Sequence, residues 1–368
     1  FQEVTGRIGF DWSPDLNFSE DTLIYGFYSK GYKGGGMNPP QQIGAEAFPQ
    51  FFDPEFVNAF ELGTKNTLAD GLLQLNANAF FYDYEGYQIT QIINRTSVNF
   101  NIDAEIMGLE MEAVWSPVEN LRINANLGLL NTEIVDEQAI DVLDRTNGND
   151  DFVVIKNAEN FANCVISEEG YTAVLGAIGG GALPAGATGG ICIDTDPLTP
   201  GPQTFLNNTI VADPDGIANS GDEVFLYQTL GLTLEQATPS EGFAKDISGN
   251  AIPGAPETTF NIGAEYTWDN LFGGAFDLTA RADYYVQGDS FSRVWNTERD
   301  KLEGWDNLNM SLRLANIDDN WAVEVFGKNI TDEEVITGAY LTDDSSGLFT
   351  NIFLNEPRTY GITLIKSW

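Results

Sequence analysis

The 368-residue sequence contains no histidine. That absence removes the commonest general base and metal ligand, and with them any Ser-His-Asp, Cys-His or His-metal arrangement. The carboxylates sit on alternating segments or in acidic loops, so no enzyme is expected. Basic residues are scarce too: 17 Lys and Arg stand against 55 Asp and Glu, a formal net charge of -38 at pH 7. This balance repels nucleic acid and bare anionic membrane and favours cations, so no nucleic-acid partner is expected. No run of about 18 consecutive apolar residues is free of breakers, which excludes helical membrane spans. The nearest stretch, Tyr171 to Ile193, is mostly Gly and Ala with a Pro. A membrane protein without such a run must cross as a barrel. Cysteine is nearly absent: Cys164 and Cys192 lie in one irregular acidic segment. Without His no zinc site is expected, and the pair is expected to form a loop-closing disulfide, with two unrelated free thiols as the alternative. There is no initiator Met and no leader before Phe1. The N-terminus is therefore expected to be a cut end, uninformative about compartment.

What the sequence does contain is period-two alternation in segments of about ten residues, the mark of strands with one apolar and one polar face. Val4, Gly6, Ile8, Phe10 and Trp12 alternate with Thr5, Arg7, Gly9 and Asp11. Leu73, Leu75, Ala77, Ala79 and Phe81 alternate with Gln74, Asn76 and Asn78. The same holds for Leu121 to Leu129, Phe260 to Trp268 and Leu308 to Leu314. The pattern predicts eleven strands, roughly 3–13, 21–36, 55–69, 71–92, 98–116, 119–137, 255–269, 273–292, 303–317, 320–337 and 357–368. Tight connections at 69–71, 117–118, 269–272 and 318–319 alternate with long ones at 37–54, 138–254 and 338–356. Such alternation puts the tight turns at one end of an up-and-down meander and most long loops at the other.

Trp12, Trp115, Trp268 and Trp321 each flank a predicted short turn, and Trp368 ends the chain at the same side. These five are expected to form one ring at a membrane interface, where an indole buries its body in lipid and keeps its N–H wet. The competing arrangement is a soluble sandwich or propeller whose strands are merely capped by aromatics. In a wide barrel side chains cannot fill the lumen, so the apolar stripe belongs in lipid and the stripe rich in Asn, Arg, Glu and Thr faces the interior. The expected fold is therefore all-β, an antiparallel up-and-down transmembrane β-barrel. Eleven strands would leave an open edge, so the chain should supply one part of a larger closed sheet.

Three motifs in order carry a family resemblance. Tyr28-Ser29-Lys30-Gly31-Tyr32-Lys33-Gly34-Gly35-Gly36-Met37-Asn38-Pro39 comes first, then Glu61-Leu62-Gly63-Thr64-Lys65. Gly327-Lys328-Asn329-Ile330-Thr331-Asp332 with Pro357-Arg358-Thr359-Tyr360-Gly361-Ile362-Thr363-Leu364 closes the series. Together they resemble the barrel of the TonB-dependent outer-membrane receptors. The resemblance implies the C-terminal half of a roughly 22-stranded plugged transporter in the bacterial outer membrane. It also implies partners: membrane lipid, an extracellular small-molecule ligand, the barrel-assembly machinery reading the aromatic C-terminus, and the TonB–ExbB–ExbD complex acting through a plug and N-terminal segment missing from this sequence. Two departures stand out. Trp368 replaces the usual Phe, and Lys366 takes a lipid-facing position where its charge must snorkel outward.

Within the barrel assignment for 1–368, residues 138–254 carry sixteen acidic and three basic residues. This segment is either a structured extracellular cap or a disordered insertion. Asp213, Asp215, Asn219, Asp222 and Glu223 gather hard oxygen ligands around Gly216, a composition that suits a structural Ca²⁺ or is simply an acidic turn. No other cofactor is expected. Tyr32, Lys33, Met37, Trp295 and Tyr340 are the candidate ligand contacts at the outer rim. Trp295 and Trp305 fit an outer aromatic girdle equally well. Gly34-Gly35-Gly36 follows its Lys and precedes no helix, so it reads as a turn leaving the wall, not a phosphate loop. The expected function is active import of a scarce bulky nutrient, foremost a ferric siderophore, with glycan or cobalamin as other cargo. The competing class is a passive porin or an adhesive barrel.

Overall fold

The computed structural model describes residues 3–39, 49–93, 96–159, 161–193, 204–214, 223–316 and 320–366. Eleven strands form one sheet in which each strand lies between its neighbours in sequence. They are β1 (Gly6–Trp12), β2 (Asp21–Lys33), β3 (Glu55–Leu68), β4 (Leu73–Ile93), β5 (Thr96–Val118), β6 (Leu121–Val135), β7 (Thr258–Asn270), β8 (Phe276–Gln287), β9 (Trp305–Asn316), β10 (Trp321–Lys328) and β11 (Thr359–Lys366). Every pairing is antiparallel, and β1 and β11 are the two edges.

Register turns the alternation into two chemically different faces, because residues opposite one another share a side of the sheet. On one face Phe10, Gly26, Leu62, Ala79, Leu109 and Leu129 follow in a row across six strands. Ile123, Ala264, Ala282, Met310, Gly327 and Tyr360 continue that face across the other strands. The opposite face carries Glu112, Asn126, Asn261, Tyr285 and Asn307 in one row. The apolar face is not covered by protein: Leu62 is 58% exposed and Leu364 77%. A greasy face left open on this scale is a lipid-facing surface.

A polar row, Lys30, Asn58, Asp83, Glu105 and Glu133, ends the apolar band on β2 to β6. Along β4 the band runs from Leu73 to Phe81. At ~3.3 Å per residue and a tilt of ~40° that is about 20 Å of membrane, comparable to the ~25 Å band of outer-membrane barrels. Trp12, Trp115, Trp268 and Trp321 lie on the apolar face at the short-turn end, opposite Ile24, Leu73, Leu278 and Asn316. Trp368 is outside the described residues. Lys366, opposite Trp321, is on the apolar face as expected.

Local chemistry sets where strands end. Ala69, Asp70 and Gly71 all take positive φ to close the β3–β4 turn. The strand expected to run to residue 337 stops at Lys328. Asn329 turns to φ 48 there and donates through Nδ2 to the carbonyls of Glu333 and Glu356, which reroutes the chain. Similarly β2 ends at Lys33, and Gly36–Met37 pairs with Phe51–Phe52 in a small separate ladder. A Cβ on Gly35 would lie 2.4 Å from the Phe52 carbonyl oxygen, so only glycine allows that approach.

β4 and β5, at 21 and 23 residues, rise well beyond the apolar band at the long-loop end. The lumenal side of this rise is apolar, and the chain covers it: Ile102, Ala104 and Ile134 pack with Ile247, Ile252, Val294 and Trp295. Residues 138–254 build a second core of Ile166, Val174, Ile191, Leu206 and Ala237. Its helix α1 (Glu168–Gly179) begins at Ser167, whose hydroxyl accepts the Gly170 N–H, with Glu168 and Glu169 in the first turn. Cys164 and Cys192 are joined as a disulfide in this unit.

Candidate functional site

Four separate segments meet at the long-loop end around a cavity of about 290 Å³. The top of β4 supplies Tyr87 to Ile92, and the insertion supplies Val142, Ile252 and Pro253. The β8–β9 connection supplies Ser292 to Trp295, and the β10–β11 connection Tyr340 to Thr342.

Arg293 organises this site. Its Nε donates to Asp300 Oδ1 at 2.5 Å and its Nη1 to Asp141 Oδ1 at 2.7 Å. The guanidinium carbon lies 5.0 Å from the Trp295 ring centroid. Nη2 is buried with no hydrogen-bond partner among the described residues. The carboxylates are fixed in turn, since Asp300 Oδ2 accepts both the Thr297 amide and hydroxyl. Asn296, at φ 48, accepts the Ala251 amide and donates to the Ala251 and Arg293 carbonyls, which holds the loop against the insertion.

A second polar cluster pins the insertion to the β10–β11 connection. Arg145 and Asp344, both almost fully buried, form an ion pair at 2.7 Å. Asp344 Oδ2 also accepts the Asn163 amide at 2.7 Å, and its backbone carbonyl accepts Lys156 Nζ at 2.6 Å. Arg145 Nη1 donates to the Glu241 carbonyl. Removing two charges from water is tolerated only with such supporting hydrogen bonds. At the rim, Asp289 accepts from Lys301 at 2.9 Å and from the Gly304 amide. These bonds hold its carboxyl below the ordinary carboxylate range, while Asp289 and Glu303 hold Lys301 above its usual value.

The five candidate contacts are divided. Trp295 and Tyr340 line the cavity together. Trp295 is only 6% exposed, so it is a core residue and not part of an outer girdle. Trp305 lies opposite Gln287 on the polar face, 5.1 Å from Tyr285, and is not a girdle residue either. Tyr32 packs on Phe56, Lys33 pairs with Glu55 at 3.2 Å, and Met37 is exposed; none lines the cavity. Asp213 and Glu223 belong to no group of three or more candidate metal ligands among the described residues, and Asp215, Asn219 and Asp222 lie outside them.

Sequence reasoning missed Arg293, Asp141, Arg145 and Asp344. Their signal was faint: isolated arginines among many carboxylates. Asn38 was passed over as motif filler. It is 3% exposed, donates to the Pro49 and Asn99 carbonyls and accepts the Asn99 amide, tying the first long loop to the β4–β5 hairpin. A larger depression, about 820 Å³, lies elsewhere and is floored by Ala264, Ala280, Ala282 and Gly327 of the apolar face.

Residues 1–163 match the family described as TonB dependent receptor-like, beta-barrel. Among solved structures, the ferric yersiniabactin uptake receptor FyuA from Yersinia pestis is similar at 16% identity and a TM-score of 0.57. The match covers 98% of this chain and 36% of that receptor. The siderophore receptor PiuA from Acinetobacter baumannii is similar at 16% identity and a TM-score of 0.51, over 98% of this chain and 35% of that one. At these identities the likeness concerns the fold. The chain spans little more than a third of the length of the receptors it matches.

Proposed function

We propose active import of a scarce, bulky nutrient across the outer membrane, a reading supported by the match of residues 1–163 to the TonB dependent receptor-like β-barrel family and by the later strands continuing the same sheet. A ferric siderophore is the foremost cargo. The supporting observation is the combination of a wall that is apolar outside and polar inside with a folded assembly of loops at one end only. The long-loop end is the extracellular mouth, residues 138–254 are its cap, and Trp12, Trp115, Trp268 and Trp321 mark the inner interface. Within the mouth, Trp295 and Tyr340 contact ligand in the Arg293 cavity, and Tyr32, Lys33 and Met37 contribute from the rim. Energy reaches the lumen from TonB–ExbB–ExbD through parts of the receptor beyond these residues.

The experiment is uptake of radioiron-labelled chelates by cells with and without the gene, in backgrounds with and without functional TonB. Loss of uptake of one chelate class in either deletion is expected. Unchanged uptake of every chelate removes the siderophore reading, and gene-dependent uptake that ignores TonB replaces the importer with a passive pore.

A further inference from the structure

We propose that glycine–aromatic pairs fix the register of the wall by excluding slips of two residues, which the alternation of its faces cannot reject. A slip of one residue turns every side chain to the wrong face, so lipid forbids it. A slip of two returns each residue to its own face. Hydrophobicity is silent there, and register must come from turn geometry or from shape.

These pairs supply the shape. Gly26, Gly63, Gly108, Gly327 and Gly361 lie directly opposite Phe10, Tyr25, Phe80, Tyr360 and Phe326 in the ladders. In each case the ring lies where the glycine's side chain would be. A Cβ would fall 2.5 Å from Tyr25 Cζ at Gly63, 2.5 Å from Phe80 Cζ at Gly108, 2.7 Å from Phe10 Cε1 at Gly26 and 2.9 Å from Tyr360 Cε1 at Gly327. At Gly361 it would run into Phe326 Cζ. Glycine inside a strand weakens it and marks a close approach. Turn geometry acts where connections are tight, but long loops join β2 to β3 and β10 to β11, and these two pairings hold three of the five interlocks.

The pairing of β10 with β11 shows the selection most fully. Phe326 over Gly361 holds the polar face, and Tyr360 over Gly327 holds the apolar face one rung away. Sliding β11 by two residues in either direction sets Phe326 opposite Thr359 or Thr363, and Tyr360 opposite Val325 or Asn329. Each of those residues carries a Cβ where the ring now sits. Because β11 is an edge of the sheet, its register passes to whatever strand pairs with its free side.

The test is thiol cross-linking in the full-length protein refolded from denaturant into lipid vesicles, with native cysteines replaced by serine in every variant. Refolding without assembly factors separates the ladder from recognition by other proteins. Asn329, which ties the loop base to the Glu356 carbonyl just beyond the ladder, is kept throughout. Glu324→Cys with Thr363→Cys reports the observed register. Glu324→Cys with Ile365→Cys, and Ala322→Cys with Thr363→Cys, report the two slips. With both rings present, cross-linking is expected chiefly at the first pair. Phe326→Ala with Tyr360→Ala removes both rings without introducing a clash, and is expected to raise the slipped cross-links by about tenfold. Phe326→Gly with Gly361→Phe exchanges ring and gap across the ladder and is expected to keep the observed register. Slipped cross-links no higher without the rings, or as high in the exchanged variant as in the alanine one, would overturn the proposal. Should the double alanine variant fail to insert, Phe326→Ala alone, with Tyr360 still over Gly327, carries the same reading.

Discussion

Asp344 shows how much one side chain controls at the mouth. It satisfies Arg145, the Asn163 amide and, through its carbonyl, Lys156, all of which belong to the insertion. Asp344→Ala leaves a buried guanidinium without its carboxylate, a change that typically costs about 3–5 kcal/mol. The expected outcome is rapid proteolytic cleavage within 138–254 while the sheet stays intact, followed by gel mobility and mass spectrometry of the fragments. The exposed pair Asp289–Lys301 behaves differently. A carboxyl held below its ordinary range stabilises the fold above that range and loses the contribution as pH falls through the lowered value. An ammonium held above its ordinary value stabilises below that value and loses the contribution as pH rises through the raised one. Protection of the Gly304 amide, which donates to Asp289, is therefore expected to be flat across neutral pH and to fall at both extremes. Asp289→Asn should remove the acid limb and shrink the basic one, where only Glu303 still supports Lys301, as read by hydrogen exchange corrected for intrinsic rates.

At the scale of elements, the two faces make opposite demands. Ala282, between Ala264 and Met310, lies in the lipid-facing row, whereas Asn126, between Glu112 and Asn261, lies in the polar one. Ala282→Arg in the full-length receptor is expected to cost about 2–4 kcal/mol, because a charge at mid-band must leave water. Asn126→Arg should change stability little. Urea unfolding in lipid vesicles measures both, and equal costs would contradict the assignment of faces. These strands were legible in the sequence because a strand half in lipid must alternate: all eleven ranges, from Gly6–Trp12 to Thr359–Lys366, coincide with the alternating segments apart from their ends. The ends were less legible, since they depend on single turn residues such as Asn329 that alternation does not report. The insertion was least legible. Its helix and short strands are held by packing around Ile166, Val174 and Ile191 and by the Cys164–Cys192 bridge, contacts between residues far apart in sequence. The cavity shares that difficulty. Tyr340 and Trp295 were singled out as rim aromatics, but nothing local says that Asp141 and Asp300 converge on Arg293 from different segments.

For the whole molecule, the asymmetry of connections and the position of the disulfide point the same way. Tight turns such as Ala69 to Leu72 lie at the tryptophan end, and the insertion with its cystine lies at the other. A cystine persists where thiols are not kept reduced, which suits the cell exterior. Short turns at the periplasmic side and long loops outside are the ordinary disposition of outer-membrane barrels. The orientation is testable with single engineered thiols in the full-length protein, since Cys164 and Cys192 are joined to each other and any further cysteine can be replaced by serine beforehand. Asp150→Cys, exposed in the insertion, is expected to react with a membrane-impermeant maleimide on intact cells. Asp70→Cys, exposed in the β3–β4 turn, should stay unlabelled until the outer membrane is permeabilised. The reverse pattern would place the cap and the Arg293 cavity in the periplasm, where no ligand arriving from outside meets them first, and capture at this end would have to be abandoned together with the uptake scheme built on it.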